Sequence, residues 1–505
     1  MTSASLASLA EKAVKWSAMT TAARFVLQLG AQVALARVLG PANYGVYGIG
    51  IAVLTFAAFL SGSAFSWNLL LQEKIDRNDV RFAFTWQALA GLGTAVAMFF
   101  GAPLLADFFG DPRVEPMVRW LSLACLLTAL GAPAVCLLQR DLNFRSLGLL
   151  QLASYALGYL AVGLPLALAG WGAQALAMAC VVQAGVTMVG AFALRPHALR
   201  PLFAHAAGAQ ALSTGRTVFV TNIVNWLLGN LDRIIIGRLL NAQAVGLFTL
   251  AYNFAQIPNT LLVGAIQPTF LASGAKMAGE PQRLAQAWML VLGCVLVLVT
   301  PAAASMALVA HDLVHLLYGP DWSEAAWVLA LMFLCLPAWA GWGMSTPVLW
   351  NTGRKHLEAQ LQLPVLALAI PAWWFFTPQG LRWAAIVSAI AIYARALITI
   401  AAGVRALHLR WSALGPLAVR GLLLAVWCGA AARGAQLAVQ PLEMAAVSFA
   451  AGSVASFLAM ALVVVAAPQL LGDEARLALS RLLPFVRIAT PAPSTPAAAA
   501  PGSKA

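Results

Sequence analysis

The chain has 505 residues, 62% hydrophobic and 9% charged, with a formal net charge of +13 and a mean hydropathy of +0.84. Globular proteins carry roughly 25% charged residues, so there are too few charges here to cover a soluble surface. The composition excludes a soluble nucleic-acid-binding protein, for which the positive charge would otherwise argue, and points to an all-α polytopic membrane protein.

At the N-terminus, Leu6, Leu9, Ala13 and Trp16 share one helical face, with Lys12 and Lys15 elsewhere. This reads as a short interfacial helix feeding the first span, and no cleavable signal peptide is expected. A span needs about 20 mostly apolar residues. About fourteen such stretches follow: 16–38, 45–71, 82–106, 117–138, 147–169, 173–194, 214–239, 245–271, 287–310, 325–350, 359–376, 383–405, 416–437 and 444–467. Residues 473–488 look like a surface-lying amphipathic segment, and the Pro/Ala-rich tail from Thr490 reads as disordered. Placing the N-terminus in the cytoplasm and alternating the spans puts twenty-one Lys and Arg on the cytoplasmic side and six outside. Arg24, Arg233 and Arg395 remain inside spans. Positive charge near span ends favours the cytoplasm, so a bacterial inner-membrane protein with both termini cytoplasmic is expected.

An internal repeat organises these spans. GRLLNAQAVGLF (237–248) echoes ARVLGPANYGVY (36–47), so Arg37 aligns with Arg238 and Gly45 with Gly246 at a shift of 201 residues. Both copies join two spans at the outer face, which makes the repeat parallel, as in several secondary transporters. The expected architecture is an N-lobe at 1–194, a cytoplasmic linker at 195–216 and a C-lobe at 214–408. Two additional spans at 409–470 and a cytoplasmic segment at 471–505 complete it.

Polar stripes mark the walls that do not face lipid. Thr20, Arg24, Gln28 and Gln32 are spaced by four in the first span, so they share one helix face. Asn222, Asn225, Gly229 and Asp232 do the same in the seventh, with Arg233 alongside, and Tyr252, Gln256, Asn259 and Gln267 in the eighth. Arg395 lies mid-span in the twelfth, with Ser388, Ile392 and Thr399 at helical spacing. A charge at the centre of a membrane helix costs roughly 2.5–3.5 kcal/mol on insertion scales, so these residues are candidates for a substrate cleft. The plainer reading is that they bond neighbouring helices, that Arg24 and Arg233 reach the headgroups, or that Asp232 and Arg233 neutralise each other.

Arginines with few acids suit an anion, because guanidinium stays charged and binds phosphate oxygens bidentately. A lipid diphosphate fits, and sugars attached to it would need amides and aromatics along their path. Trp339, Trp342, Thr346 and Trp350 form an aromatic row in the tenth span, which serves equally as packing or as an interfacial belt. His311, Asp312 and His315 at the outer end of the ninth span lack further ligands for a metal. The six cysteines lie in apolar runs without a CxxC and read as small buried hydrophobes. There is no P-loop, so ATP hydrolysis is not expected.

ARVLGPANYGVYGI (36–49), LLQRDLNFRSLGL (137–149), NLDRIIIGRLLNAQAVGLFTLAYNFAQIPNTL (230–261), LLYGPDWSEAA (316–326) and LWNTGRKHLEAQ (349–360) resemble bacterial oligosaccharide flippases. This is the Wzx/WzxC-like polysaccharide transporter family of the MOP exporter superfamily. The likeness covers most of spans 1–12. It implies a V-shaped, two-lobe transporter working by alternating access. It also implies the substrate: oligosaccharide repeat units on undecaprenyl diphosphate, flipped to the periplasmic leaflet for O-antigen or exopolysaccharide assembly. Polysaccharide polymerase and glycosyltransferases would be partners besides membrane lipids. The family's usual Gly and Pro of the repeated turn are Asn241 and Ala242 in the second copy, a change expected to loosen that turn. Cation antiport is proposed for the family, and Asp232 is the intramembrane acid available to H+ or Na+; no cofactor is expected. A lipid II-type precursor flippase and a multidrug or cation antiporter of the same superfamily are the alternatives. The scarcity of intramembrane acids argues against the antiporter. A synthase would need a catalytic cluster in a large outer loop, and the outer loops are short, so an enzyme is not expected.

Overall fold

The computed structural model describes residues 3–61, 65–66, 69, 75–205, 207–277, 279–442 and 444–482, with their side chains except at 3–15, 17–18, 207–222, 442, 478–479 and 481–482. The segment read as a disordered tail lies outside the described residues. Among the described residues the regular structure is helical, without a strand, because a chain in hydrocarbon must satisfy each backbone N–H and C=O within itself.

The N-terminal half contains α1 (Ser3–Leu60), α2 (Arg77–Phe109), α3 (Val114–Arg140), α4 (Phe144–Leu168) and α5 (Ala173–Leu194). Then come α6 (Ala207–Leu239), α7 (Ala242–Lys276), α8 (Pro281–Leu308), the short α9 (Ala310–Tyr318), α10 (Pro320–Asn351), α11 (Leu357–Phe376) and α12 (Leu381–Ala406). The chain continues through α13 (Gly415–Val439), α14 (Ala445–Ala466) and α15 (Gly472–Leu482). Eleven helices of the described residues are long and apolar enough to cross a membrane. The first of these, Met19–Leu60, is 42 residues long, about twice what one crossing needs. It breaks at Gly40, which has φ 70° and ψ 170°. Glycine adopts that conformation without a Cβ clash, and Pro41 then opens the next helix with its φ already set. The fourteen-span expectation places two spans in this broken helix and two in the more polar α6 and α7.

Capping chemistry sets several boundaries. Asp76 Oδ1 accepts the backbone N–H of Asp79 (2.7 Å), and Asp79 Oδ2 accepts that of Asp76 (2.8 Å). This capping box starts α2 at Arg77, five residues before the apolar run suggests. The N–H of Asp79 also holds the Asp76 carboxyl below its usual pKa. Residues 195–205 then run as a strap along the start of α2. Arg81 donates to the carbonyls of Arg200 and Pro201, Trp86 Nε1 to Phe203 O (3.1 Å), and Leu202 N to Thr85 Oγ1 (2.9 Å). His205 Nε2 meets Asp79 Oδ1 at 2.9 Å, and Arg195 pairs with Asp141 at 2.7 Å. Side chains of α2 thus bond the backbone of this non-helical stretch at residues 200–203.

The chain divides into two compact units. The first is Met1–Tyr252 with Leu317–Val328 and Gln362–Ser388; the second is Asn253–Leu316, Leu329–Leu361 and Ala389–Ala505. Inside the first unit the two copies of the repeated corner touch reciprocally. A Cβ on Gly45 would overlap the carbonyl oxygen of Ala242, and one on Gly246 would overlap that of Pro41. Gly246 is the repeat mate of Gly45, and Ala242 that of Pro41. The contact therefore has the self-complementary form of a two-fold interface, with small residues letting backbones approach closely. The second corner corrects the expectation of looseness: Asn241 Oδ1 accepts the N–H of Ala244 at 2.8 Å and so caps α7.

The second unit is built around fully buried Trp288, with Phe270, Leu292, Val348, Val404, Leu417 and Leu471. The amphipathic α15 docks on it through buried Ala475.

Candidate functional site

Two adjoining cavities lie among the first five helices, all within the first unit. The larger has a volume of about 470 Å³. Its polar lining is Arg24 from α1, Ser66 beyond the end of α1, Thr128 and Gln139 from α3, Gln151 and Ser154 from α4, and Gln183 and Thr187 from α5. Close glycine contacts draw the walls in: Gly148 of α4 packs on the Thr20 side chain, and Gly131 of α3 on Met188. Arg24 is half-buried, and one of its terminal nitrogens donates to Gln151 Oε1 at 2.7 Å. An amide partner orients the guanidinium without neutralising it, so the positive charge stays available to an anion.

The smaller cavity, about 170 Å³, is lined by Gln28 and Gln32, tyrosines 44, 47, 155 and 159, Leu35, Leu176 and the same Gln183. Tyr155 and Tyr159 stack at 4.4 Å between centroids and 15° between planes. Tyr159 lies in a π-helical segment, Ala156–Gly163. The Tyr159 hydroxyl lies 2.9 Å from that of Tyr47 and 3.0 Å from Cys180 Sγ. Arg24, Gln28 and Gln32 thus form one line through both cavities.

The seventh-span candidates form a different kind of centre. Asp232 is 2% exposed; it accepts the backbone N–H of Arg233 (2.8 Å) and the hydroxyl of Ser388 (3.3 Å). Ser388 in turn accepts from Trp373 Nε1 at 3.0 Å. Arg233 is 9% exposed, donates to Asn230 Oδ1 (3.0 Å), and lies 4.3 Å above the Tyr252 ring. Asn225 is half-buried, and the Asn222 side chain lies outside the described residues.

In the second unit, Arg395 sits 3.7 Å over the Trp342 ring, and Asn259 Nδ2 donates to Gln256 Oε1 at 2.8 Å. Trp339 is buried, while Trp350 is exposed and donates to Glu358 Oε2 at 2.8 Å. The row of tryptophans is therefore not one surface. Asp312 accepts from Gln436 Nε2 (2.9 Å) and Ser448 Oγ (2.6 Å), which draws it toward α13 and α14. Among the described residues, the group whose ligand atoms converge as a metal site would require is Asp76, Asp79 and His205; its atoms serve the helix cap and the strap.

Sequence reasoning missed Gln139, Gln151 and Gln183, the tyrosines 44, 47, 155 and 159, and the Ser388–Asp232 bond. Gln151 and Gln183 are isolated polar residues in apolar runs and Gln139 sits at a charged span end, so no stripe announces them. Tyr155 and Tyr159 do stand four apart, a spacing that also suits ordinary packing.

The family model described as "Polysaccharide biosynthesis protein" matches residues 34–327, more than half of the chain. The chain is 29% identical over 325 residues to the succinoglycan biosynthesis transport protein ExoT of Rhizobium meliloti (strain 1021), covering 64% of this chain and 65% of ExoT. It is 25% identical over 335 residues to the lipopolysaccharide biosynthesis protein WzxC of Escherichia coli (strain K12), covering 64% and 67%. The matches thus span about two thirds of these relatives. Among solved structures, the lipid II flippase MurJ in an inward closed conformation superposes with a TM-score of 0.69 at 14% identity, over 88% of this chain and 98% of MurJ. An inward-facing multidrug resistance MATE family transporter of the MOP superfamily gives 0.61 at 13% identity, over 76% and 94%. At such identities the likeness concerns the fold alone. On the family match, with its polysaccharide-biosynthesis relatives, this multi-pass membrane protein belongs to the polysaccharide biosynthesis protein family.

Proposed function

We propose that the protein flips undecaprenyl-diphosphate-linked oligosaccharide repeat units from the cytoplasmic to the periplasmic leaflet by alternating access, for O-antigen or exopolysaccharide biosynthesis. The observation that carries this reading is Arg24, an arginine held by an amide in a cavity lined by further amides and hydroxyls. Its guanidinium binds the diphosphate, and the polar wall takes the place of water around the sugars. Charge-assisted hydrogen bonds contribute about 1.5–3 kcal/mol each, enough to hold the headgroup while leaving release accessible. Membership of the family supports the substrate class. The excess of Lys and Arg on one side of the expected topology supports an inner-membrane location with both termini cytoplasmic.

Arg233 is assigned a structural role in this scheme, since ring, amide and neighbouring carboxylate already surround it. Asp232 is the acid that couples transport to H+ or Na+. Polymerase and glycosyltransferases act on the same lipid-linked substrate before and after it. The test is Arg24→Ala in cells lacking the native gene. Polymer export is lost, lipid-linked repeat units accumulate in the cytoplasmic leaflet, and the variant protein stays in the membrane. Normal export by that variant overturns the phosphate role of Arg24, and drug efflux without any effect on polymer overturns the flippase reading itself.

A further inference from the structure

The small chamber beside the Arg24 cavity has a composition that the phosphate chemistry does not explain. Its lining holds no charged group: three glutamines, four tyrosines and two leucines enclose about 170 Å³. An apolar cavity of about 150 Å³ accommodates a benzene ring, so this space admits one six-membered ring and not two. It is not an apolar hole, however: the side chains of Gln28, Gln32 and Gln183 line it beside the stacked rings of Tyr155 and Tyr159. Each glutamine amide brings two donors and an acceptor, and the tyrosine faces offer apolar surface for C–H groups. Tyr159 lies in a π-helical segment, the kind of backbone departure found at functional sites.

We infer that this chamber is a subsite for a single uncharged sugar ring of the lipid-linked substrate, with the amides of Gln28, Gln32 and Gln183 bonding its hydroxyl groups and the tyrosine rings supporting its C–H face. The inference rests on the flippase reading and deepens it. Gln183 borders both cavities, and Gln28 stands one helical turn from Arg24, about 6 Å along the axis. A ring in the chamber is therefore within reach of a diphosphate on Arg24. A cation is disfavoured because no carboxylate lines the space.

The test is equilibrium binding to the full-length protein in nanodiscs, with two probes: undecaprenyl diphosphate alone, and the same lipid carrying one hexose. The wild type binds the glycosylated lipid about tenfold more tightly, the margin expected of two or three net hydrogen bonds. In the double variant Gln28→Leu, Gln32→Leu the margin disappears, and a melting temperature near wild type reports that the variant is folded. Arg24→Ala weakens both lipids alike. A wild type that binds the two probes equally, as a merely water-filled chamber predicts, overturns the inference, and so does a folded double variant that keeps the preference. If the wild type binds neither lipid, the flippase reading fails first.

Discussion

The 201-residue shift aligns Arg24, Gln28 and Gln32 of α1 with Asn225, Gly229 and Arg233 of α6. One helix face thus occurs twice, with its arginine at opposite ends of the stripe. In the first copy the guanidinium has one amide partner and looks into a 470 Å³ cavity. In the second it is nearly buried, against a tyrosine ring and an asparagine, next to a carboxylate that Ser388 holds. On the proposed reading, the repeated helix face is a binding wall in one copy and a buried strut in the other. An arginine's neighbours decide whether its charge is available to a ligand, and these neighbours come from distant segments.

Substitutions can break or sharpen this contrast. The largest effect is expected at Asp232→Ala, which leaves Arg233 buried beside no carboxylate. Removing one partner of a buried charge pair costs about 3–5 kcal/mol, so thermal unfolding in detergent and the amount of protein in the membrane should both fall. Asp232→Asn also removes the charge but keeps the volume and an acceptor for the Arg233 N–H, so it should cost less stability than the alanine, and the protein that remains folded should transport indifferently to an imposed H+ or Na+ gradient. Next is Arg24→Ala, with the opposite profile: stability near wild type, and transport or diphosphate affinity lower by about 1.5–3 kcal/mol, roughly ten- to a hundredfold. Arg24→Lys should recover part of this, because a point charge lacks the bidentate fork.

Gly45→Ala and Gly246→Ala test the symmetry that relates the copies. Each adds a Cβ where a backbone carbonyl already sits, and overpacking of this kind costs about 1–3 kcal/mol. Similar losses of thermal stability in both variants would support the two-fold contact; a loss in one alone would break it. The smallest effect is expected at Asn241→Ala, which removes the cap on α7 for about 1 kcal/mol, read as a modest drop in melting temperature without a change in transport per molecule.

Much of the fold is legible in the sequence, because the apolar runs and the 201-residue echo each report on it. Gly40–Pro41 is readable as a break. Asn241–Ala242 misleads, since the loss of Gly and Pro suggests a looser corner while the asparagine side chain supplies a cap of its own. The Arg24–Gln28–Gln32 line is readable from spacing alone. The opposite wall is not: Gln151 is 127 residues from Arg24 and Ser388 is 156 from Asp232, and no local period encodes such pairings. The π-helical segment that carries Tyr159 is hidden for a related reason, as the sequence there reads as an unbroken apolar span.

The most direct measurement is the flipping of undecaprenyl-diphosphate-linked oligosaccharide in proteoliposomes, comparing wild type with Arg24→Ala at equal amounts of folded protein. A phosphate site in the first copy of the repeat predicts that flipping falls at least tenfold while the melting temperature is unchanged. Flipping at the wild-type rate by Arg24→Ala would contradict it and return the phosphate to Arg233 or Arg395.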